Sequence, residues 1–486
     1  MPSNEATSKN AASNEAPRKP RTIPLYRTIR ALLRDPLIAL EEIARRSGGD
    51  VVRLNLGLFR PYLITHPHHV QHVLRDNAAN YVREGMFWKP LRRLFGSGIL
   101  VDGPTWEPSR RRIQPLFAAR NVNSLVAGMA DAISEAVDRL DPAARSGRPL
   151  DASDEMARIV HRTVARVFFG DRISAADIDR LIPAIDSAAV SIGARLVLPF
   201  VPDGLPMPGD RAFRRAVRTI DDVVLPLVRA CRSAASPANA SGRANAAGPS
   251  GDIVSTLCQA RDENGDLLSD RQVRDDVVSL FAAGTETTAT ALTWLWVALD
   301  ARPDVAARMY REIDRVVGTD KVSASHLPGL QYTRMVLQEL VRLYPVGWLI
   351  PRTAAARDVV GGRVIKRGGT VLISPYLTHR MPQFWDRPDV FDPDRFEPGR
   401  AEHRDRFAYF PFGGGPHQCL GSHLFTVEAQ LIAATILTRY RPQLRNRAQV
   451  TPLPAASLRP RQPVELMLAP VRRTGSAARD HEARAA

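Results

Sequence analysis

The 486-residue chain is 44% hydrophobic and 24% charged, and its 67 Lys and Arg against 51 Asp and Glu give a formal net charge of +16. That size and apolar content can build a large core, while the lack of an uninterrupted apolar run of about 20 residues argues against a membrane anchor. The basic residues are spread through helical segments without a zinc-finger or RNA-binding aromatic motif, which argues against nucleic acid as the partner.

Met1 to Arg21 is rich in Ala, Ser, Asn, Lys and Pro and lacks the apolar centre of a secretory signal, so residues 1–22 read as a disordered basic lead. With three scattered cysteines, Cys231, Cys258 and Cys419, that suit a reducing compartment better than a disulfide framework or zinc site, the expected location is cytoplasmic. From Tyr26 to Arg46 the apolar pattern is cut by Asp35-Pro36 into a short helix and a new helix start. Gly48-Gly49-Asp50 breaks the second helix. Val51 to Leu56 then reads as a strand with Arg60 to Thr65 as its hairpin partner, and Gly362 to Ile365 and Thr370 to Ser374 read as later strands of a small sheet.

Trp106 and Arg110 lie four residues apart on one helical face, bringing an indole donor beside a guanidinium. The Ser, Ala, Asn, Gly and Pro residues after Cys231 read as a flexible surface insertion at about 232–250. Ser269 and Gln272 stand in capping-box spacing ahead of about 30 helical residues, a spine on the order of 45 Å long. Within it, Ala283-Gly284-Thr285-Glu286-Thr287-Thr288 interrupts the apolar pattern with small and hydroxylated residues that open a groove or divert a backbone hydrogen bond. Glu339 and Arg342 place opposite charges on one helical face. No Gly-x-Gly-x-x-Gly turn follows a strand, which disfavours a dinucleotide-binding domain.

The most informative stretch is Phe412-Gly413-Gly414-Gly415-Pro416-His417-Gln418-Cys419-Leu420-Gly421, a glycine-framed cysteine at the start of an apolar helical run. Glycines let the backbone approach a flat cofactor closely, and the amides of a helix start stabilise a thiolate.

Together with Trp106-x-x-x-Arg110, the Ala283 to Thr287 segment and Glu339-x-x-Arg342, this stretch resembles the haem-binding signature and companion motifs of soluble bacterial cytochrome P450 monooxygenases. The resemblance runs from about Ile23 to Pro470. It implies a mainly α fold with small β-sheets, a single haem domain over residues 23–470 undivided by the insertion, and a disordered tail at 471–486.

By the same resemblance Cys419 is the axial thiolate of haem b, the cofactor (iron protoporphyrin IX), and Phe412, Gly415 and Gly421 shape its loop. Trp106, Arg110, Arg352 and His417 are implied to meet the haem propionates, and Glu286 and Thr287 to form the acid-alcohol pair of oxygen activation. Glu339, Arg342 and Arg395 are implied to form a buried structural network. The implied substrate pocket comprises Phe87, Trp88, Leu91, Phe95, Phe281, Ala282, Ala283, Val346, Trp348 and Leu349, with a mobile entrance at Leu198 to Pro202 and Leu205 to Pro208.

The implied reaction inserts one atom of dioxygen into a hydrophobic small molecule, with a terpenoid or fatty acid favoured over a steroid or macrolide. No FMN or FAD domain follows the cysteine motif, so the implied electron source is a separate ferredoxin with its NAD(P)H-dependent ferredoxin reductase, and the basic charge suits an acidic partner. The acid-alcohol pair argues against a peroxygenase or isomerase that needs no external electrons. Intact motifs on both sides of the cofactor argue against a haem-bound sensor or carrier.

Overall fold

The computed structural model describes residues 17–197, 205–234, 252–400, 402, 404–446 and 450–471. In chain order, the helices that build and support the site are α1, Leu25–Arg34; α2, Pro36–Ser47; α3, Lys89–Phe95; α4, Trp106–Ile113; α5, Ala152–Phe169; α6, Asp210–Ala234; α7, Ile253–Gln259; α8, Asp270–Ala301; α9, Gln331–Leu343; and α10, Ser422–Leu437. Helices α3 to α10 pack around one large apolar core, and α1, α2 and the strands around two smaller ones, giving the expected mainly α protein with small sheets.

Asp35 separates the first two helices by accepting hydrogen bonds from Leu37 N at 2.9 Å and Ile38 N at 3.1 Å, with Pro36 in the first turn of α2. The six-stranded sheet contains β1, Arg21–Ile23; β2, Val52–Leu54; β3, Tyr62–Ile64; β4, Tyr81–Val82; β5, Ile350–Ala354; and β6, Thr370–Ile373, in the order β1-β2-β3-β6-β5-β4. The expected hairpin is present, with Val52 opposite Leu63 and Arg53 opposite Tyr62. Strand β6 joins β3 in parallel, bringing Leu372 beside Leu63.

Several boundaries differ from the sequence expectation. Arg21 and Thr22, assigned to the disordered lead, pair in parallel with Val52 and Arg53, so the sheet starts earlier in the chain. Arg363–Ile365 pairs with Asp358–Val360 in a separate two-stranded hairpin, because Gly361 and Gly362 take the positive φ angles, 54° and 71°, that a tight two-residue turn requires. Helix α6 continues to Ala234, so residues 232–234 of the expected insertion are helical; 235–251 lie outside the described residues, as does the entrance stretch Leu198 to Pro202. Val471, placed in the tail, donates its backbone N–H to Arg439 O at 2.9 Å.

The spine α8 is 32 residues long and begins with the expected Ser269–Gln272 capping box. Its first turns staple down the segment that leads into α4. Arg274 donates to Leu94 O at 2.7 Å, Asp275 accepts from Ser97 N at 3.1 Å, and Asp276 accepts from Ile99 N at 3.0 Å and Ser109 Oγ at 3.2 Å. Contact is so close at Gly98 that a Cβ there would lie 2.3 Å from Ser279 Oγ. Burial raises the Asp276 carboxyl to about 7, against the opposing hydrogen bonds from Ser109 and Ile99.

Helix α9 supplies the expected charge network. Arg342 grips Glu339 with two hydrogen bonds, Nε to Oε2 at 2.6 Å and Nη2 to Oε1 at 2.8 Å, and both side chains are fully buried. The remaining Arg342 donors reach His379 O at 2.8 Å and Pro388 O at 2.7 Å. Arg395 Nε lies 3.4 Å from Glu339 Oε1, a charge contact without hydrogen-bond alignment, while its Nη2 donates to Arg387 O at 2.7 Å. The segment Gly415–Leu437, containing α10, is long and apolar enough to cross a membrane, yet 67% of its most apolar window is buried inside the protein, the position of a core helix.

Candidate cofactor and active site

The cysteine loop is shaped by close packing at its glycines. Gly413 and Gly415 have φ angles of 69° and 66°, and a Cβ at Gly415 would lie only 1.8 Å from Leu74 O, so any larger residue collides with the neighbouring backbone. Cys419 N donates to Phe412 O at 2.9 Å, and the Phe412 ring packs against Phe425 of α10 with centroids 5.5 Å apart. The Cys419 side chain is exposed although protein surrounds it, as for a sulfur that opens on an interior cleft. Burial raises its thiol pKa, opposed by the Gly421 N–H directed at the sulfur and by the charge of Arg110.

Around that cleft the structure gathers a cationic cluster. Trp106 of α4 stacks on His417 of the cysteine loop with centroids 4.2 Å apart. Asp102 receives His417 Nε2 at 3.0 Å, Arg83 Nε at 2.7 Å and Arg83 N at 2.7 Å. The Arg83 guanidinium also lies 5.3 Å from the Trp106 ring and 5.6 Å from Trp88, which faces Arg352 at 5.6 Å on its own account. Burial pulls Arg352 down to about 9, Arg83 adds to the drop, and Asp102 opposes it. For Asp102, burial favours the neutral acid, but the His417 hydrogen bond and the Arg83 charge win and hold the carboxyl well below the usual range.

This donor set fits haem. Arg83, Arg110 and Arg352 bring three cations to a region whose own anion is Asp102. Among the described residues Trp106 Nε1 and the Arg110 guanidinium make no hydrogen bond to protein, and Arg352 spends one, from Nη1 to Pro351 O at 2.8 Å. Two carboxylates, as on the haem edge, would balance the excess charge and take up these donors. Arg83 and Asp102 were missed in the sequence: they sit in non-helical segments, with no periodicity to mark them, and are joined only by the fold.

On the spine, Ala283, Glu286 and Thr287 are exposed in the middle of a helix whose other faces are buried, so they mark an opening alongside α8. Thr287 Oγ1 donates back to Ala283 O at 2.7 Å, the diverted helix bond expected of this segment. Glu286 accepts from Ser457 Oγ at 2.7 Å instead of meeting Thr287 directly. Ser457, in a loop between two short strands, carried no sequence signal, and Asp186 joins the group electrostatically: burial, then the Glu286 charge, raises its carboxyl. On another face of α8, Thr288 is hydrogen-bonded with buried Glu428 of α10, whose Oε1 has no partner and whose pKa burial raises to about 8.

The expected pocket divides. Ala283 faces the opening, Ala282 is half-buried beside it, and Trp88, tied through Nε1 to Pro351 O at 3.3 Å, lies in the cationic cluster. Leu91 is half-buried on α3, and Phe87 and Leu349 pack half-buried against the sheet-side core. Phe281 is corrected: two residues at about 100° each turn it to the far side of the helix from Ala283, where its ring meets Phe168 at 6.1 Å and Phe169 at 5.8 Å on α5. Phe95 belongs to the main core, and Trp348 to the sheet-side core, where its Nε1 donates to Ala455 O at 2.9 Å. Val346 is buried as well, and its carbonyl accepts from Leu458 N at 2.9 Å.

The sequence model of the Cytochrome P450 family matches residues 17–468. The chain is 35% identical over 425 residues to cyclooctat-9-en-7-ol 5-monooxygenase of Streptomyces melanosporofaciens, covering 87% of this chain and 88% of that protein. It is 33% identical over 462 residues to cyclooctatin synthase of the same organism, covering 93% and 94%, and 28% identical over 441 residues to pentalenene oxygenase of Streptomyces avermitilis, covering 90% and 94%. The fold matches the crystal structure of the cytochrome P450DA haem domain with a TM-score of 0.82 at 22% identity, covering 94% of this chain and 98% of that one. With the glycine-framed cysteine loop, the cationic cluster and the opened spine helix set in that fold, the chain belongs to the cytochrome P450 family of haem-binding oxidoreductases, monooxygenases of hydrophobic organic molecules.

Proposed function

We propose that this protein is a haem-thiolate monooxygenase of a cyclic terpenoid, with Cys419 as the residue whose sulfur would hold the iron of haem b. The observation that carries the reading is the pair of openings, one at the Cys419 sulfur and one at Ala283, Glu286 and Thr287, in otherwise buried elements. We read them as the two sides of one cofactor cleft. Bound haem supplies the iron centre at which dioxygen is reduced and cleaved.

The chain's own residues then have separable tasks. Gly421 N–H and Arg110 favour the Cys419 thiolate. Trp106, Arg110, Arg352 and His417 hold the propionates; the Asp102 bond to His417 Nε2 leaves Nδ1 for that contact. Thr287 orients dioxygen and a water from its Oγ1, and Glu286, steadied by Ser457, moves the proton to that water. Ala282, Ala283 and Leu91 offer apolar surface to the substrate.

The terpenoid assignment draws on relatives named for cyclooctat-9-en-7-ol and pentalenene, which favour it over a fatty acid. Electrons come from a separate ferredoxin and its NAD(P)H-dependent reductase, the net charge of +16 suiting an acidic carrier. The test is turnover of a panel of cyclic terpenoids and fatty acids with reduced ferredoxin plus oxygen, set against peroxide alone. Oxygen insertion into a terpenoid that needs ferredoxin supports the reading; turnover with peroxide alone, or of fatty acids only, overturns it.

A further inference from the structure

Cys231 and Cys258 stand on different helices, α6 and α7, either side of the segment 235–251, and neither belongs to the cofactor loop. Each sulfur contacts the residue one turn before the other cysteine. Cys231 Sγ lies 3.8 Å from Ser255 Oγ, and Cys258 Sγ lies 3.8 Å from Val228 O. This reciprocal crossing makes the two thiols face one another inside the core, 4% and 1% exposed. Both sit in the last turn of their helices, Cys231 three residues before the end at Ala234 and Cys258 one before the end at Gln259.

The surroundings make the two sulfurs unequal. Contact with Cys258 lowers the Cys231 pKa against burial and the Asp252 carboxylate, and the Arg172 cation adds to the lowering. The same contact raises Cys258, and burial raises it further. Arg172 is held there by Asp252, with Nε 3.0 Å from Oδ2, and Asp252 in turn accepts from Ser255 Oγ at 2.8 Å. The facing pair thus places one sulfur against the other in the arrangement of an attacking and a resolving cysteine.

We propose that Cys231 and Cys258 form a peroxide-responsive thiol pair that closes to a reversible disulfide joining α6 to α7. The oxidant is hydrogen peroxide, which a monooxygenase releases when oxygen activation is not coupled to substrate. The Cys231 thiolate attacks one peroxide oxygen, the O–O bond breaks, and hydroxide leaves a sulfenic acid on Cys231. The Cys258 sulfur then attacks that sulfur, the S–O bond breaks, and water leaves as the S–S bond forms. The thiol protons end in water, so two thiols and one peroxide give one disulfide and two waters. Closure brings the facing sulfurs to the S–S bonding distance of about 2.05 Å.

The experiment uses the reduced holoenzyme titrated with hydrogen peroxide below the level that bleaches its haem absorption, then denatured with an alkylating agent and digested for mass spectrometry. The expected product is a Cys231–Cys258 cross-linked peptide lacking two hydrogens, restored to two alkylated thiols by dithiothreitol, with an upward Tm shift of a few degrees in the oxidised protein. Cys258→Ser should leave Cys231 as a sulfenic acid trapped by dimedone, and Cys231→Ser should leave Cys258 alkylatable. The wild-type cross-link alone decides the matter if either variant fails to fold. Two thiols equally alkylated before and after peroxide, or separate oxidation to sulfinic acids without a cross-link, would overturn the proposal.

Discussion

Trp106 and His417 stack with ring centroids 4.2 Å apart and planes inclined by 27°, so the start of α4 and the cysteine loop are joined through two of the side chains proposed to hold one cofactor. The stack is steadied at one ring by the Arg83 cation and at the other by the Asp102 carboxylate, and Arg83 and Asp102 are themselves paired. The proposed contacts to a haem edge are thereby held in position by protein groups alone.

Trp106→Ala and Arg110→Ala are expected to speed haem loss, each by about tenfold or more, because each removes one charge-assisted hydrogen bond. Haem transfer to excess apomyoglobin measures this. Substrate-induced spectral shifts should change far less, and unchanged transfer rates in both variants would assign the two residues to the protein surface.

Thr287→Ala should keep the haem and lose coupling. Thr287 is exposed at the opening in α8 and its O–H is spent on Ala283 O, its one partner among the described residues, so removing the hydroxyl deletes an acceptor for water without breaking a wider network. Product formed per electron consumed should fall about tenfold, with a matching rise in released peroxide. Native coupling in this variant would mean another group supplies the proton.

Glu428 gives a pH dependence with a definite sign. Its carboxyl rises from an ordinary 4.5 to about 8 through burial, so between these values the folded protein holds a proton that the unfolded chain releases. The stability present below pH 4.5 is therefore lost progressively as pH climbs through about 8. Glu428→Gln carries no such charge, and urea midpoints should move in its favour relative to wild type as the pH rises. A difference that does not vary with pH would contradict this account.

Arg342→Ala should cost about 3–5 kcal/mol in urea denaturation, because it leaves Glu339 buried without its two-point partner. Arg342→Lys should recover little of that loss, since an ammonium cannot grip both carboxylate oxygens while also reaching His379 O and Pro388 O. Full stability of the Lys variant would show that charge alone, not the fork geometry, sustains the network.

Local chemistry made part of this protein legible from its sequence. Asp35-Pro36, the Ser269–Gln272 box and the glycine-framed Cys419 each carry their instruction within a few residues, and the structure places those turns, caps and close approaches where the sequence put them. Arg83 and Asp102 were illegible because their meaning lies in a pairing between loops and in a contact with His417 far along the chain. Phe281 differs: helical spacing alone sets it about 200° from Ala283 and against Phe168 and Phe169, away from the opening. Gly362 to Ile365, expected as a strand of the small sheet, instead closes its own hairpin, because the Gly361-Gly362 pair between Val359-Val360 and Arg363-Val364 specifies a two-residue turn.

The ferrous carbon-monoxide absorption spectrum of the purified protein, beside that of Cys419→Ala, tests the central assignment most directly. The wild-type protein is expected to show the strongly red-shifted Soret band of a thiolate-ligated haem, and the variant to lose both this band and oxygen insertion even where some haem remains bound. A wild-type spectrum without that band, or a variant that keeps it, would remove Cys419 from the site.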